Sequence, residues 1–384
     1  MYRAGATFSR NDVGRVSERA PRRPRRRPPP PAMLRYSVIE RLTQTSSVIQ
    51  QYMKRRSDDD AGARKIRLLS VHEVADVHKE PGIISGYVPH GSPWVCVRGL
   101  FLATNETINF WTHFLPSLYF IWKLAELRHS LDFSDSYTWP YICYMLTTCV
   151  YPFVSCVAHA FSSMSVRAAH VGFFIDYAAI SIFSYGVGVL YRSYCFPKDL
   201  LGTVYSDYFI HVCFVNTIVC TFLACRSRFL QRSFWQKRTR LLAFLVPYAW
   251  DNVPLLYRLL TCAETRPWTP CRPSDALHLR QVAASMLGSF FYGTHLPERM
   301  APGTFDIIGH SHNFLHILGI VATNEQMNGA RLDMDEARAP HHPDGVDLDL
   351  WATWGGLLAV AINMLIVAVS VVAMSRKLGR EKNF

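Results

Sequence analysis

"FDIIGHSHNFLHILGIVA" (Phe305–Ala322) sets three histidines, His310, His312 and His316, directly before an apolar run. Imidazole is expensive in a lipid-facing segment, so such side chains normally turn inward, pair with one another or hold an ion. On a helix, His312 and His316 are four residues apart and share one face, about 6 Å from each other, within reach of a single metal. His310 falls on nearly the opposite face and is set aside as a ligand. Taken alone, the pair leaves two readings open: a zinc ligand set, or two imidazoles satisfied by neighbouring hydroxyls.

Outward from this stretch, the 384-residue chain is 49% hydrophobic and only 18% charged. Apolar runs of membrane-spanning length recur from about residue 108 onward. Eight spans are expected, at about 108–126, 139–161, 169–192, 204–225, 241–261, 279–296, 306–324 and 351–374. The fold class that follows is an all-α integral membrane protein, a bundle of seven core transmembrane helices plus an eighth. Residues 1–67 read as a basic, proline-rich tail ("PRRPRRRPPPPAML"), disordered and either solvated or drawn to anionic lipid. No apolar segment of signal-peptide type follows it, and Met33 is a plausible alternative start. Residues 68–107 read as a short folded lead-in, 108–375 as the bundle and 376–384 as a tail. A net charge of +12 would suit a nucleic-acid partner. The basic residues, however, sit in the N-terminal region and in short loops, so a membrane is the partner and nucleic acid is not.

Orientation comes from those loops. With the N-terminus inside, the inner segments after the first span hold Arg167, six basic residues in 226–240, Arg299 and four in "SRKLGREK", against six on the outer side. Both ends should therefore be cytoplasmic. The sequon "NET" (Asn105–Thr107) then lies inside, beside a span, and reads as structural. Ten cysteines are scattered without a C-x-x-C pair, most of them within apolar runs. Only Cys262 and Cys271 flank a short polar loop, on the outer side, where a disulfide is chemically allowed.

A second cluster strengthens the metal reading. "YPFVSCVAHAFSSMS" puts Ser155 and His159 four apart on one face of the second span, and Asp176 lies inside the third. The expected topology brings His159, Asp176, His312 and His316 to one depth in the inner half of the bilayer. Three neutral imidazoles with an open fourth position are an arrangement used by catalytic zinc, and a nearby carboxylate can hold a water or orient a ligand. Ser155 could bond the same water, or back-bond to its own helix carbonyl. Asp251 lies between Pro247 and Pro254, with Arg258 seven residues on as an economical partner, and the prolines should shape a ligand cavity. His113, His211 and His295 lack a partner at helical spacing and read as structural.

"TNETINFWTHFLP", "SCVAHAFSSMS" with "FFIDYAAIS", and "HLPERMAPGTFDIIGHSHNFLH" closely resemble the progestin and adipoQ receptor family, in its membrane progestin receptor branch. The similarity runs from about Leu68 to the last span. It implies that His159, His312 and His316 correspond to that family's zinc-binding histidines, and Asp176 and Ser155 to its accompanying acid and hydroxyl. One departure is Asn313, where the family usually has glutamine. The resemblance further implies a plasma-membrane receptor for progesterone-like steroids, signalling rapidly through inhibitory G proteins. The alternative is a zinc-dependent lipid amide hydrolase of ceramidase type, with Asp176 and Ser155 catalytic. The residues that would anchor a steroid are not evident from the sequence.

Overall fold

The computed structural model describes residues 43–51, 66–230, 234–266, 270–337 and 347–381. Eight long helices carry the architecture: α1 (Thr107–Leu127), α2 (Trp139–Phe161), α3 (Val166–Leu190), α4 (Val204–Ser227), α5 (Phe234–Thr265), α6 (Asp275–Thr294), α7 (Ser311–Glu336) and α8 (Gly356–Glu381). Among the described residues, β structure is limited to an isolated bridge between Leu69 and Tyr87. Lipid offers no partner for a backbone amide, and helices satisfy theirs internally. The protein is an all-helical membrane bundle with seven core helices and an eighth packed against α3 and α4.

Four stretches, Ser136–Phe161, Val166–Cys195, Val204–Ser227 and Leu348–Arg380, are long and apolar enough by length and composition to cross a bilayer. The other four long helices carry more polar residues, and the fold turns these inward. Asn109 and His113 on α1, Asp251 and Asn252 on α5, Gln281 on α6 and Gln326 on α7 are all buried. Leu115, Leu118, Ile121 and Trp122, by contrast, stand exposed on the outer face of α1.

Helix starts follow local chemistry. Ser165 caps α3 by accepting from the Ala168 amide at 3.0 Å, and Thr203 caps α4 by accepting from the Ser206 amide at 3.3 Å. α7 has no such neighbour in sequence. Its first amide, that of Ser311, donates instead to the buried Glu298 carboxylate at 2.7 Å, and the Ser311 hydroxyl donates to the same group. A carboxylate there also meets the positive end of the helix dipole.

Most helices lie within a few residues of the expected spans, but two start elsewhere. α5 begins at Phe234, seven residues before the expected 241, and α7 occupies Ser311–Glu336 instead of 306–324. The expected helical start is a folded loop, in which Asp306 accepts from the Ile84 and Ser85 amides at 3.0 and 2.8 Å and Gly309 takes φ +86°. The polar stretch "TNEQMNGARLDMDE" then continues the helix because its side chains find partners inside the bundle. The 66–106 lead-in packs against this α6–α7 connection. Gly82, at φ +82°, sits where a Cβ would come within 2.7 Å of the Glu298 carbonyl oxygen, so only glycine fits.

α5 runs unbroken through Pro247 and Pro254. Pro254 has no amide to offer the Trp250 carbonyl, and the Tyr205 hydroxyl donates to that carbonyl at 3.0 Å instead. The expected Asp251–Arg258 pair does not form. Arg258 reaches Asp333 at 2.9 Å and Asp275 at 3.2 Å, and His278 bonds the same Asp333 at 2.9 Å. This buried network ties the ends of α5 and α7 to the start of α6. Cys262 and Cys271 form a disulfide beside it. The expected tail (residues 1–67) falls mostly outside the described residues, as do Met33, the acidic stretch 338–346 and residues 382–384.

Candidate metal centre

His159 lies two residues before the end of α2, and His312 and His316 occupy the first two turns of α7. One ring nitrogen from each lies within 4.8 Å of the others. The hydrogen bonds at the rear of the rings decide which nitrogens face inward. His159 Nδ1 donates to the Glu106 carboxylate at 2.7 Å, and His316 Nδ1 donates to the Asn109 carbonyl at 3.1 Å. Both rings therefore present the Nε2 lone pair to the common space. His312 Nε2 stands 3.3 Å from His159 Nε2, so these two lone pairs converge on one point. Carboxylate- and carbonyl-backed imidazoles of this kind are how proteins orient metal ligands.

The second layer is built from α1. Asn313 accepts from the Gly309 amide at 2.8 Å and donates to Asn109 Oδ1 at 2.7 Å, which couples the α7 start to the residue holding His316. The shorter amide at 313 thus has a defined place. His113 stacks on His316, with ring centroids 3.6 Å apart and planes 8° apart. His310 caps α7 and approaches the Asn105 carbonyl at 3.3 Å, outside the histidine cluster. His295 sits 3.5 Å from Glu298, and His211 packs edge-on against Trp351. Asn105 of the sequon is buried, and the Thr107 hydroxyl donates to the Leu102 carbonyl.

Ser155 and Asp176 line the same cavity as the three histidines. Asp176 is buried and its Oδ1 has no hydrogen-bond partner. An orphaned carboxylate oxygen beside three convergent imidazoles fits a divalent cation with one water or ligand atom added. Two other groupings have the composition of a metal site, but their chemistry is already committed. In Cys195, His278 and Asp333, the carboxylate is satisfied by Arg258, His278 and Ser274. In Cys262, Cys271 and Asp275, both sulfurs are in the disulfide.

The sequence reading did not single out Glu106 or give His113 a partner. Glu106 was visible as the acid preceding the first span, at the depth expected for His159. The partner of His113 comes from another helix, which spacing within one helix does not reveal.

The cavity measures about 920 Å³ and extends from the lead-in, past the histidines, to Asp251 and Gln326 within the bundle. The profile of the haemolysin-III-related family matches residues 101–327. Human membrane progestin receptor gamma is 44% identical over 272 residues, covering 70% of this chain and 81% of the relative. Zebrafish membrane progestin receptor gamma-B is 40% identical over 325 residues, 79% of this chain and 92% of its own length. Human membrane progestin receptor delta is 40% identical over 315 residues, with 81% and 92% covered. With its all-helical bundle and its matches spanning most of both chains, this protein belongs to the haemolysin-III-related family, among the membrane progestin receptors.

Proposed function

We propose that the protein is a plasma-membrane receptor that binds a progesterone-like steroid inside its helical bundle, with zinc held by His159, His312 and His316. The observation that carries this reading is the cavity of about 920 Å³ within a chain 44% identical to a protein named for progestin binding. That volume is of the size that small-molecule sites use, and its walls mix apolar surface with a few polar groups. Zinc in the site would supply Lewis acidity. The chain's own residues set the rest. Glu106 and the Asn109 carbonyl hold the tautomers of His159 and His316, and Asp176 Oδ1 is placed to accept from a water or ligand hydroxyl at the fourth position. Ser155, on the same helix as His159, is available to that group.

Both ends are assigned to the cytoplasm, which puts the 1–67 tail, the 68–107 lead-in and the 376–384 tail on that side. The excess of basic residues in the segments assigned inside supports this orientation. Coupling to an inhibitory G protein would use the surface carrying Arg226 and Arg238 between α4 and α5, a basic patch suited to an acidic partner.

A second reading is a zinc-dependent hydrolase of lipid amides, favoured by the unpartnered Asp176 oxygen beside the histidine cluster. Asp176 and Ser155 would then handle the proton of the attacking water. Saturable binding of radiolabelled progesterone to the purified protein, with no ceramide turnover, is the result expected for the receptor. Ceramide turnover that disappears in His159→Ala, without steroid binding, would replace it with the hydrolase.

A further inference from the structure

Beyond the histidine cluster, the cavity ends in a polar pocket that the metal reading does not use. It is formed by Ser184 on α3, Asp251 and Asn252 on α5 and Gln281 on α6. Asp251 is 2% exposed, and its partners are the Ser184 hydroxyl at 2.7 Å and the Cys213 thiol at 3.3 Å. No Lys, Arg or His among the described residues forms an ion pair with it. Asn252 Oδ1 and Gln281 Oε1, on residues equally buried, have no hydrogen-bond partner. Three acceptor-bearing side chains with so few donors, deep in a bundle, are costly unless something else visits them.

Ser184 and Asp176 lie eight residues apart on α3, and with Ile180 they mark one face of that helix along the cavity wall. The rise per residue separates the two polar ends by about 12 Å. The apolar wall between them comes from Ile180, Phe183 and Val187.

We propose that Asp251 and Ser184 form a second anchor, which takes the oxygen at the leading end of a rigid lipid whose trailing oxygen lies beside the histidine cluster. The site therefore accepts an elongated, largely apolar molecule with a ketone or hydroxyl at each end. Asp251 meets that leading oxygen directly, and the Asn252 and Gln281 amides can turn their unpartnered ends toward it. This inference rests on the ligand-binding reading above for the class of ligand, and adds the residues that select its far end.

The test uses purified full-length protein and three probes: progesterone, its analogue without the 3-ketone, and its analogue without the 20-ketone. Asp251→Asn and Ser184→Ala are each expected to weaken progesterone at least about tenfold, the loss of one hydrogen bond to a charged or strongly polar group. Against one of the two analogues, the one lacking the leading oxygen, the same variants should bind as the wild type does. Unchanged metal content and thermal stability would exclude misfolding as the cause. Equal weakening toward all three probes, or none toward any, would overturn the anchor. A wild type that binds ceramide but not progesterone would sink the receptor reading, and the anchor would then stand or fall by whether Asp251→Asn weakens ceramide. A wild type that binds neither lipid would overturn both.

Discussion

Glu106 is the residue on which the histidine cluster turns. Its carboxylate is the partner that fixes His159 Nδ1, so His159 offers Nε2 and not Nδ1 to the cavity. Glu106→Gln keeps the size of the group but lets the amide present either an acceptor or a donor. Loss of such a supporting carboxylate typically lowers metal affinity about 10- to 100-fold. Competition with a calibrated chelator should show that weakening in Glu106→Gln while the helical circular dichroism stays at the wild-type level. An unchanged metal affinity would mean that the contact with Glu106 does not orient the ring. The residues most exposed to this argument were unevenly legible in the sequence. His159, Asp176, His312 and His316 were visible because an ionisable group in an apolar run has few bland explanations. Glu106 stands outside the run, in a stretch that also spells a glycosylation sequon, and nothing in its neighbours marks it as a partner of a residue 53 positions away.

Among the elements, α7 differs most between reading and structure. Hydropathy ends it near residue 324, yet the helix continues to Glu336 because the bundle interior supplies what lipid cannot. Gln326 bonds the hydroxyls of Tyr144 and Tyr191, and Asp333 is held by Arg258, His278 and Ser274. The same tertiary partners explain why Asp251 and Arg258, seven residues apart on one helix face, do not pair: each has a nearer partner on another helix. Periodicity within one segment cannot report a contact between segments. The Arg258–Asp333 pair yields a stability prediction. Asp333→Asn leaves a buried guanidinium without its main counter-charge and should destabilise the protein by about 3–5 kcal/mol, whereas Arg258→Met with Asp333→Leu should recover much of that loss. Thermal unfolding in detergent of the wild type, the single variant and the double variant checks both. A single variant as stable as the wild type would show that the network is dispensable.

For the whole molecule, the number of helices and their order were legible from apolar runs alone, and the disulfide from two cysteines flanking one polar loop. The depth of the cavity was not, because it is enclosed by polar side chains from four helices that each look merely less hydrophobic than their neighbours. Those side chains are what makes α1, α5, α6 and α7 less apolar than the other four, so the weak hydropathy signal and the cavity are one fact seen twice. The account as a whole requires that the ends of α2 and α7 come together on a metal ion. Element-resolved mass spectrometry of the protein purified without added metal tests this most directly. One zinc per chain in the wild type, and none in the folded His312→Ala/His316→Ala variant, is the predicted result. A metal-free wild type that takes up no zinc on titration, or a double variant that keeps its full complement, would contradict it.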